Sequence, residues 1–226
     1  SRYAKTEKIA KVGGDKKAKD SFEVIKAYKE ILTQGKNARE ITFDNKDMNL
    51  AAKELCLLTA KPILYVCNVD EDGFKNGSKH VDAVKAMAEK EGAETLVITA
   101  KIEEDIAELE IYEEKLMFLE ELGLKESGVN RLIKAAYKML NLETFLTTGP
   151  KETRAWTFHK GDKAPQCAGV IHSDFEKGFI RAEVIKYNDY ITLKSEAACR
   201  EAGKISIEGK EYVVQDGDIM HFRFNV

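Results

Sequence analysis

The stretch that constrains this chain most is Lys61 to Glu71, Lys-Pro-Ile-Leu-Tyr-Val-Cys-Asn-Val-Asp-Glu. A proline opens it, an apolar and aromatic run from Ile63 to Cys67 follows, and Asn68-Val69-Asp70-Glu71 closes it. A continuous run of strand length without polar alternation predicts a strand buried on both faces, the kind found in parallel sheets. Its polar residues are then delivered at the carboxyl end, where open α/β sheets place their ligands.

A second run, Thr-Leu-Val-Ile-Thr-Ala-Lys from Thr95 to Lys101, repeats the arrangement. Between the two lies Ser78 to Glu91, with Val81, Val84, Met87 and Ala88 at helical spacing and Gly92 where a helix would stop. Strand, helix, strand is the crossover of a parallel sheet, so the two polar loops fall at neighbouring strand ends. Asn68 carries a donor and an acceptor on one amide. That matches adenine, which offers an exocyclic amino donor beside ring-nitrogen acceptors. The competing reading of Asn-x-x-Glu is a strand-end turn in which the asparagine caps the backbone.

The same layout occurs in P-loop GTPases, where Asn-Lys-x-Asp after a strand reads guanine and a Ser-Ala-Lys loop closes over the base. Here Asn68-Val69-Asp70-Glu71 lacks the lysine and carries Glu71 at the place of the selecting aspartate, and Thr99-Ala100-Lys101 resembles the closing loop. A carboxylate set for guanine would meet an acceptor lone pair on adenine, so the site is expected to prefer ATP, or at least not to select GTP. With Glu152 to Thr157, Ala168 to Val184 and Val214 to Val226 added, essentially the whole chain resembles the YchF family of Obg-like ATPases.

That resemblance implies an α/β and α+β protein in three parts: a helical coiled-coil arm over 1–59, the carboxyl-terminal part of a parallel α/β nucleotide-binding domain over 60–141, and a β-grasp TGS domain over 142–226. It implies base recognition by Asn68, a backbone contact to adenine from Val69, Glu71 at the selecting position, and closure of the pocket by Thr99, Ala100 and Lys101. ATP is the implied cofactor, the ribosome or its large subunit the implied partner, and the cytoplasm the implied location. Family members begin with a P-loop, Gly-x-x-x-x-Gly-Lys-Ser, which holds the phosphates and Mg2+. No such motif occurs here, and the chain starts at Ser1 without a methionine. The expectation is therefore a carboxyl-terminal portion, with the phosphate, Mg2+ and water-activating parts upstream, no catalytic residue in this chain and no hydrolysis by it alone.

The totals point the same way. At 226 residues, a net charge of -3 and a third of the residues charged, the chain reads as a soluble cytosolic protein more than a nucleic-acid binder, so any RNA contact must come from a local patch and DNA is not expected. Cys56, Cys67, Cys167 and Cys199 lie far apart, with no Cys-x-x-Cys and no histidine at ligand spacing, which argues against zinc and against disulfides. No apolar run approaches membrane-spanning length.

Taken in order, Ser1 to Val12 and Asp15 to Gln34 predict two helices broken at Gly13-Gly14, the second with a stripe of Phe22, Ile25, Tyr28, Ile31 and Leu32. They form a helical hairpin whose lysines read as a solvated face. Asp47 to Leu58 predicts a helix with Leu50, Leu55, Leu57 and Leu58 as its apolar contacts. Ile102 to Leu109, Tyr112 to Leu122 and Ser127 to Leu140 predict three more. Val129, Leu132, Ile133, Ala136 and Leu140 form the core stripe of the last, and Glu103, Glu104, Asp105 and Glu108 a solvated acidic face. The Thr147-Thr148-Gly149-Pro150 turn marks a boundary. Short strands are expected around Thr153 to Phe158, Gly178 to Tyr187, Tyr212 to Val214 and Asp218 to Phe224, with helices at Ala164 to Ile171 and Glu196 to Ala202 and a tight turn at Asp216-Gly217-Asp218. Two readings stay open for this last region. His172, Arg181, His221 and Arg223 lie among Phe175, Phe179, Phe222 and Phe224, the mixture of cations and rings that RNA binding uses; the alternation of Ile219, His221 and Arg223 against Met220, Phe222 and Phe224 is also what a strand with one core face produces.

Overall fold

The structure is a computed structural model that describes residues 2–13, 16–149 and 152–225. Of the residues singled out above, Ser1, Gly14, Asp15, Pro150 and Val226 lie outside the described residues. The chain divides into two compact units, Ser1–Leu132 and Ile133–Val226.

The first unit opens with helices α1 (Arg2–Lys11) and α2 (Lys16–Thr33), which pack side by side, the Tyr3 and Phe22 rings 5.5 Å apart and Lys29 Nζ 4.2 Å from the Tyr3 ring centre. Helix α3 (Lys46–Glu54) follows, its first turn capped by Asn45, whose side chain accepts from Asp47 N–H. Val24, Tyr28, Ala38 and Ala51 are buried between these helices, with Leu55 and Leu57 packed against them. The helix predicted to run to Leu58 stops at Glu54, because Cys56 adopts a positive φ of 50° that no helix continues through. Leu58 is left 80 % exposed and Leu50 51 %, so neither is a core residue, while Val24, absent from the predicted stripe, is fully buried.

Strand β1 (Leu64–Asn68), helices α4 (Glu71–Asn76) and α5 (Lys79–Glu91), and strand β2 (Glu94–Ile98) build the predicted crossover. β1 and β2 are parallel and in register from Leu64 opposite Glu94 to Asn68 opposite Ile98. Ser78 caps α5 by accepting from His80 N–H, and Gly92 ends it in the left-handed conformation at φ 66°. The expectation that β1 is buried on both faces does not hold. Val66 is 42 % exposed, and among the described residues β1 pairs only with β2, so the two-stranded sheet leaves part of the strand uncovered.

Helices α6 (Ala100–Glu108), α7 (Tyr112–Glu121) and α8 (Gly128–Met139) come next, with Ile102, Ile106 and Leu119 forming a small core. The stripe on α8 is present as periodicity but not as core, since Val129, Ile133 and Leu140 are each about half exposed.

The second unit is a mixed sheet of β3 (Leu142–Thr148), β4 (Thr153–His159), β5 (Phe179–Ile185), β6 (Ile205–Glu208) and β7 (Ile219–Phe224), in the order β4-β3-β7-β5-β6. Between the strands lie α9 (Ala164–Ile171), α10 (Ser173–Lys177), α11 (Tyr187–Leu193) and α12 (Glu196–Glu201). Phe145, Phe158, Phe179, Met220 and Phe222 fill the core with Ala164, Cys167 and Ala168 of α9, and a second cluster of Ile185, Cys199 and Ile219 occupies the opposite face with Tyr190 and Leu193. Ile219 is therefore buried although it alternates with the core residues of β7. Two strands escaped prediction. The Thr147-Thr148 segment is the end of strand β3, not a boundary loop, and β6 had no expected counterpart. Tyr212 to Val214 is not a strand; Val213 makes a single isolated bridge to Lys163. The tight turn before β7 forms as expected, with Gly217 at φ 79°.

Candidate functional site

At the carboxyl ends of β1 and β2 the two polar loops touch. Asn68 Oδ1 accepts a hydrogen bond from Ala100 N–H at 2.9 Å, which ties the tip of β1 to the first residue of α6. The backbone donor also orients the amide, oxygen toward Ala100, so the side-chain NH2 is the half directed elsewhere. Val69 N–H donates to Ile98 O at 3.0 Å, extending the parallel ladder by one residue; a backbone contact from Val69 to a bound base must then come from its carbonyl.

The remaining predicted residues divide. Glu71 is the first residue of α4 and exposed, a carboxylate at a helix N-terminus where partial positive charge favours it. Asp70, beside it, is consumed as the cap of that helix, accepting from Gly73 N–H at 2.8 Å. Thr99 is 3 % exposed and its hydroxyl finds no hydrogen-bond partner among the described residues, so the closing loop presents backbone there, not a threonine side chain. Lys101 reaches forward along α6 to Glu104 and Asp105, both at 3.2 Å, and the hydrogen bonds it donates to these two acids hold its pKa above the usual lysine value.

Sequence reasoning missed the residues that brace this corner. Glu103, expected on a solvated face, is a cap: its carboxylate accepts from Gly128 N–H at 2.6 Å and Val129 N–H at 3.1 Å, satisfying the first turn of α8. Gly128 lets the carboxylate approach this closely, since a Cβ would lie 2.7 Å from the Glu103 carboxylate and 3.0 Å from Ile98 Cγ2 and would push the cap aside. One turn on, Arg131 donates to Val97 O of β2 at 2.7 Å. No local signal marks the Glu103 contact, whose partners lie 25 and 26 residues on. Among the described residues no three His, Cys, Asp or Glu side chains converge as a metal site would need.

In the second unit the four cation candidates separate. Arg181, His221 and Arg223 share one exposed sheet face, since Arg181 lies opposite Arg223 and Glu183 opposite His221 in the β5–β7 pairing. His172 is elsewhere, at the start of α10, where Nδ1 accepts from Asp174 N–H at 3.2 Å. Glu183 sits within the cation face and receives Arg200 at 3.2 Å and Arg223 at 3.1 Å.

Residues 142–225 match the family model YchF-GTPase_C, described as a protein of unknown function (DUF933). The chain is 53 % identical over 227 residues to the ribosome-binding ATPase YchF of Bacillus subtilis (strain 168), covering all of this chain and 61 % of the relative. It is 42 % identical to Obg-like ATPase 1 of Gallus gallus, over 98 % of this chain and 56 % of that protein. The chain belongs to the YchF family of Obg-like ATPases. A solved structure of the family, the YchF GTPase of Schizosaccharomyces pombe, superposes with a TM-score of 0.81 at 33 % identity and covers 98 % of this chain and 60 % of that one. This YchF-family chain thus spans about three fifths of the length of the relatives it matches. The names of those relatives divide over the purine, ATPase for two and GTPase for the third.

Proposed function

We propose that this chain carries the base-reading corner of a YchF-type protein that binds and hydrolyses ATP and associates with the ribosome in the cytoplasm. The arm corresponds to 1–59, the end of the nucleotide-binding domain to 60–141, and a β-grasp TGS domain to 142–226. The observation that carries the reading is the 2.9 Å bond from Ala100 N–H to Asn68 Oδ1, which makes one surface of two loops and leaves the Asn68 NH2 to donate to a ring nitrogen of the base. The Val69 carbonyl supplies the acceptor for an exocyclic amino group, which adenine has where guanine has an oxygen. Glu71 stands where GTPases carry their selecting aspartate, and Thr99, Ala100 and Lys101 close the pocket through their backbone. The chain holds no Gly-x-x-x-x-Gly-Lys-Ser motif, so phosphates and Mg2+ are assigned to no residue in it.

In the full-length protein, Asn68→Ala should weaken ATP binding by roughly 1–3 kcal/mol, the range for removal of a hydrogen-bonding partner. Asn68→Asp separates the two jobs of the amide: it keeps the acceptor for Ala100 N–H and loses the donor to the base. Calorimetric titration should show both variants weakened. ATP affinity unchanged in Asn68→Asp would remove base reading and leave only a strand-end cap.

A second reading, a non-catalytic RNA- or ribosome-binding module with a vestigial nucleotide site, is supported by the shared exposed face of Arg181, His221 and Arg223. His172 lies off that face. Titration of labelled ATP and of single-stranded RNA against the same preparation separates the two readings.

A further inference from the structure

The five-stranded sheet is open at one place. β3 and β7 run parallel but, among the described residues, pair only at Leu146 and Ile219; beyond them β3 continues with β4, and β7 continues beside β5 as far as Phe224. Backbone groups of successive strand residues point to opposite edges. Leu146 N–H donates to Asp218 O, and Asn225 N–H donates to Gly178 O beside β5. By that alternation the carbonyls of Met220 and Phe222 and the amides of Phe222 and Phe224 face the gap left by β3, beyond the one residue pair that β7 shares with β3 among the described residues.

The gap is a cavity of about 480 Å³ whose lining includes Thr147, Glu152, Trp156, Phe175, Phe222 and Phe224. Trp156 is held in place by its indole N–H, which donates to Thr147 Oγ1 at 2.9 Å, and Phe175 stacks on Phe224 with ring centres 3.8 Å apart. On the opposite face of β7 stand His221 and Arg223, both exposed; Arg223 uses Nε on Glu183, and its terminal nitrogens have no partner among the described residues.

The geometry points to a docking slot for a short extended peptide of a partner protein, added as a strand along the open edge of β7. A strand presents donors and acceptors at the spacing of the four backbone groups that face the gap, and its side chains alternate between faces. One large apolar side chain then packs against Trp156 and the Phe175–Phe224 stack, while its sequence neighbours fall beside His221 and Arg223 and are acidic. An unstacked RNA base could lie on Trp156 but would leave the β7 edge unmatched. This slot is independent of the base-reading corner and is tested apart from it.

The test is backbone NMR of the whole chain during titration with acetylated, amidated hexapeptide mixtures in which acidic and apolar residues alternate. Signals from Met220 to Phe224 and from Thr147 to Trp156 should move, and the Phe222 and Phe224 amides should exchange at least about tenfold more slowly. Binding should weaken by about tenfold or more when the peptide backbone is N-methylated, the loss expected for one or two hydrogen bonds. Phe224→Ala should weaken binding in the same assay. The proposal is overturned by unmoved Phe222 and Phe224 amides, by equal binding of the N-methylated peptides, by oligouridine moving those amides where the peptides do not, or by protection that appears only as the chain self-associates.

Discussion

Asp218 shows how much of the second unit rests on single polar atoms. It is 1 % exposed in the turn before β7, and its carboxylate accepts from Lys186 Nζ at 2.6 Å, Tyr212 OH at 2.6 Å and Gln215 N–H at 2.9 Å. Burial works against the charge on Lys186, but its bonds to Asp218 and Tyr212 outweigh that and raise its pKa; burial and Asp218 together raise that of Tyr212. Cys167, buried in the adjacent core, is pushed up to about 12, first by desolvation and then by the fields of Asp162 and Asp218, which makes it a packing residue with no thiolate chemistry near neutrality. Asp218→Ala strands three donors and should cost about 3 kcal/mol in urea unfolding; a loss under about 1 kcal/mol would show the knot to be dispensable. Glu183 is the acid-sensitive counterpart. Its partial burial opposes ionisation, yet the bonds from Arg200 and Arg223 prevail and its pKa falls below the usual glutamate value. A depressed carboxylate stabilises the fold above its unfolded pKa of about 4.3 and loses that contribution as pH falls through the lower folded value. Urea midpoints followed into acid should therefore fall less steeply for Glu183→Gln than for the parent chain, and superimposable acid limbs would refute the linkage.

At the scale of elements, what was legible is what local chemistry decides. Ser78 and Gly92 bracket α5 in the sequence as they do in the structure, and the apolar runs around Tyr65 and Leu96 become parallel strands. What was not legible depends on partners far along the chain. β3 lies beside β7, more than seventy residues away, and its Thr147-Thr148-Gly149 end carries turn-forming residues, so the pairing had no local signature. The same holds for Glu103, whose two partners lie 25 and 26 residues on. Its capping role yields a prediction about α8. Glu103→Ala should cost about 1 kcal/mol, within the range for losing a helix cap, and accelerate hydrogen exchange at Gly128 and Val129, while Asn130 keeps the Ser127 Oγ acceptor at 3.2 Å. Exchange at Gly128 and Val129 indistinguishable from the parent would return Glu103 to the solvated face.

For the molecule as a whole, net charge is a poor guide to where anions would bind. A total of -3 supplies no attractive field, and the arginines at 181, 200 and 223 are too scattered in sequence to read as a patch. Folding collects them: Arg200 and Arg223 both reach Glu183, and Arg181 lies opposite Arg223. Because Glu183 already neutralises part of this charge, the face can engage only about two or three phosphates. Counterion release from single strands contributes about 0.7 per phosphate to the salt exponent, so the affinity of the chain for oligouridine should fall with salt with a log–log slope of about -1.4 to -2. Replacing two contacts by Arg181→Glu and Arg223→Glu should bring that slope close to zero, since the rest of the molecule repels the strand. A slope that survives the double substitution would place the RNA contact on another surface and leave Arg223 to Glu183 and Arg181 to the solvent.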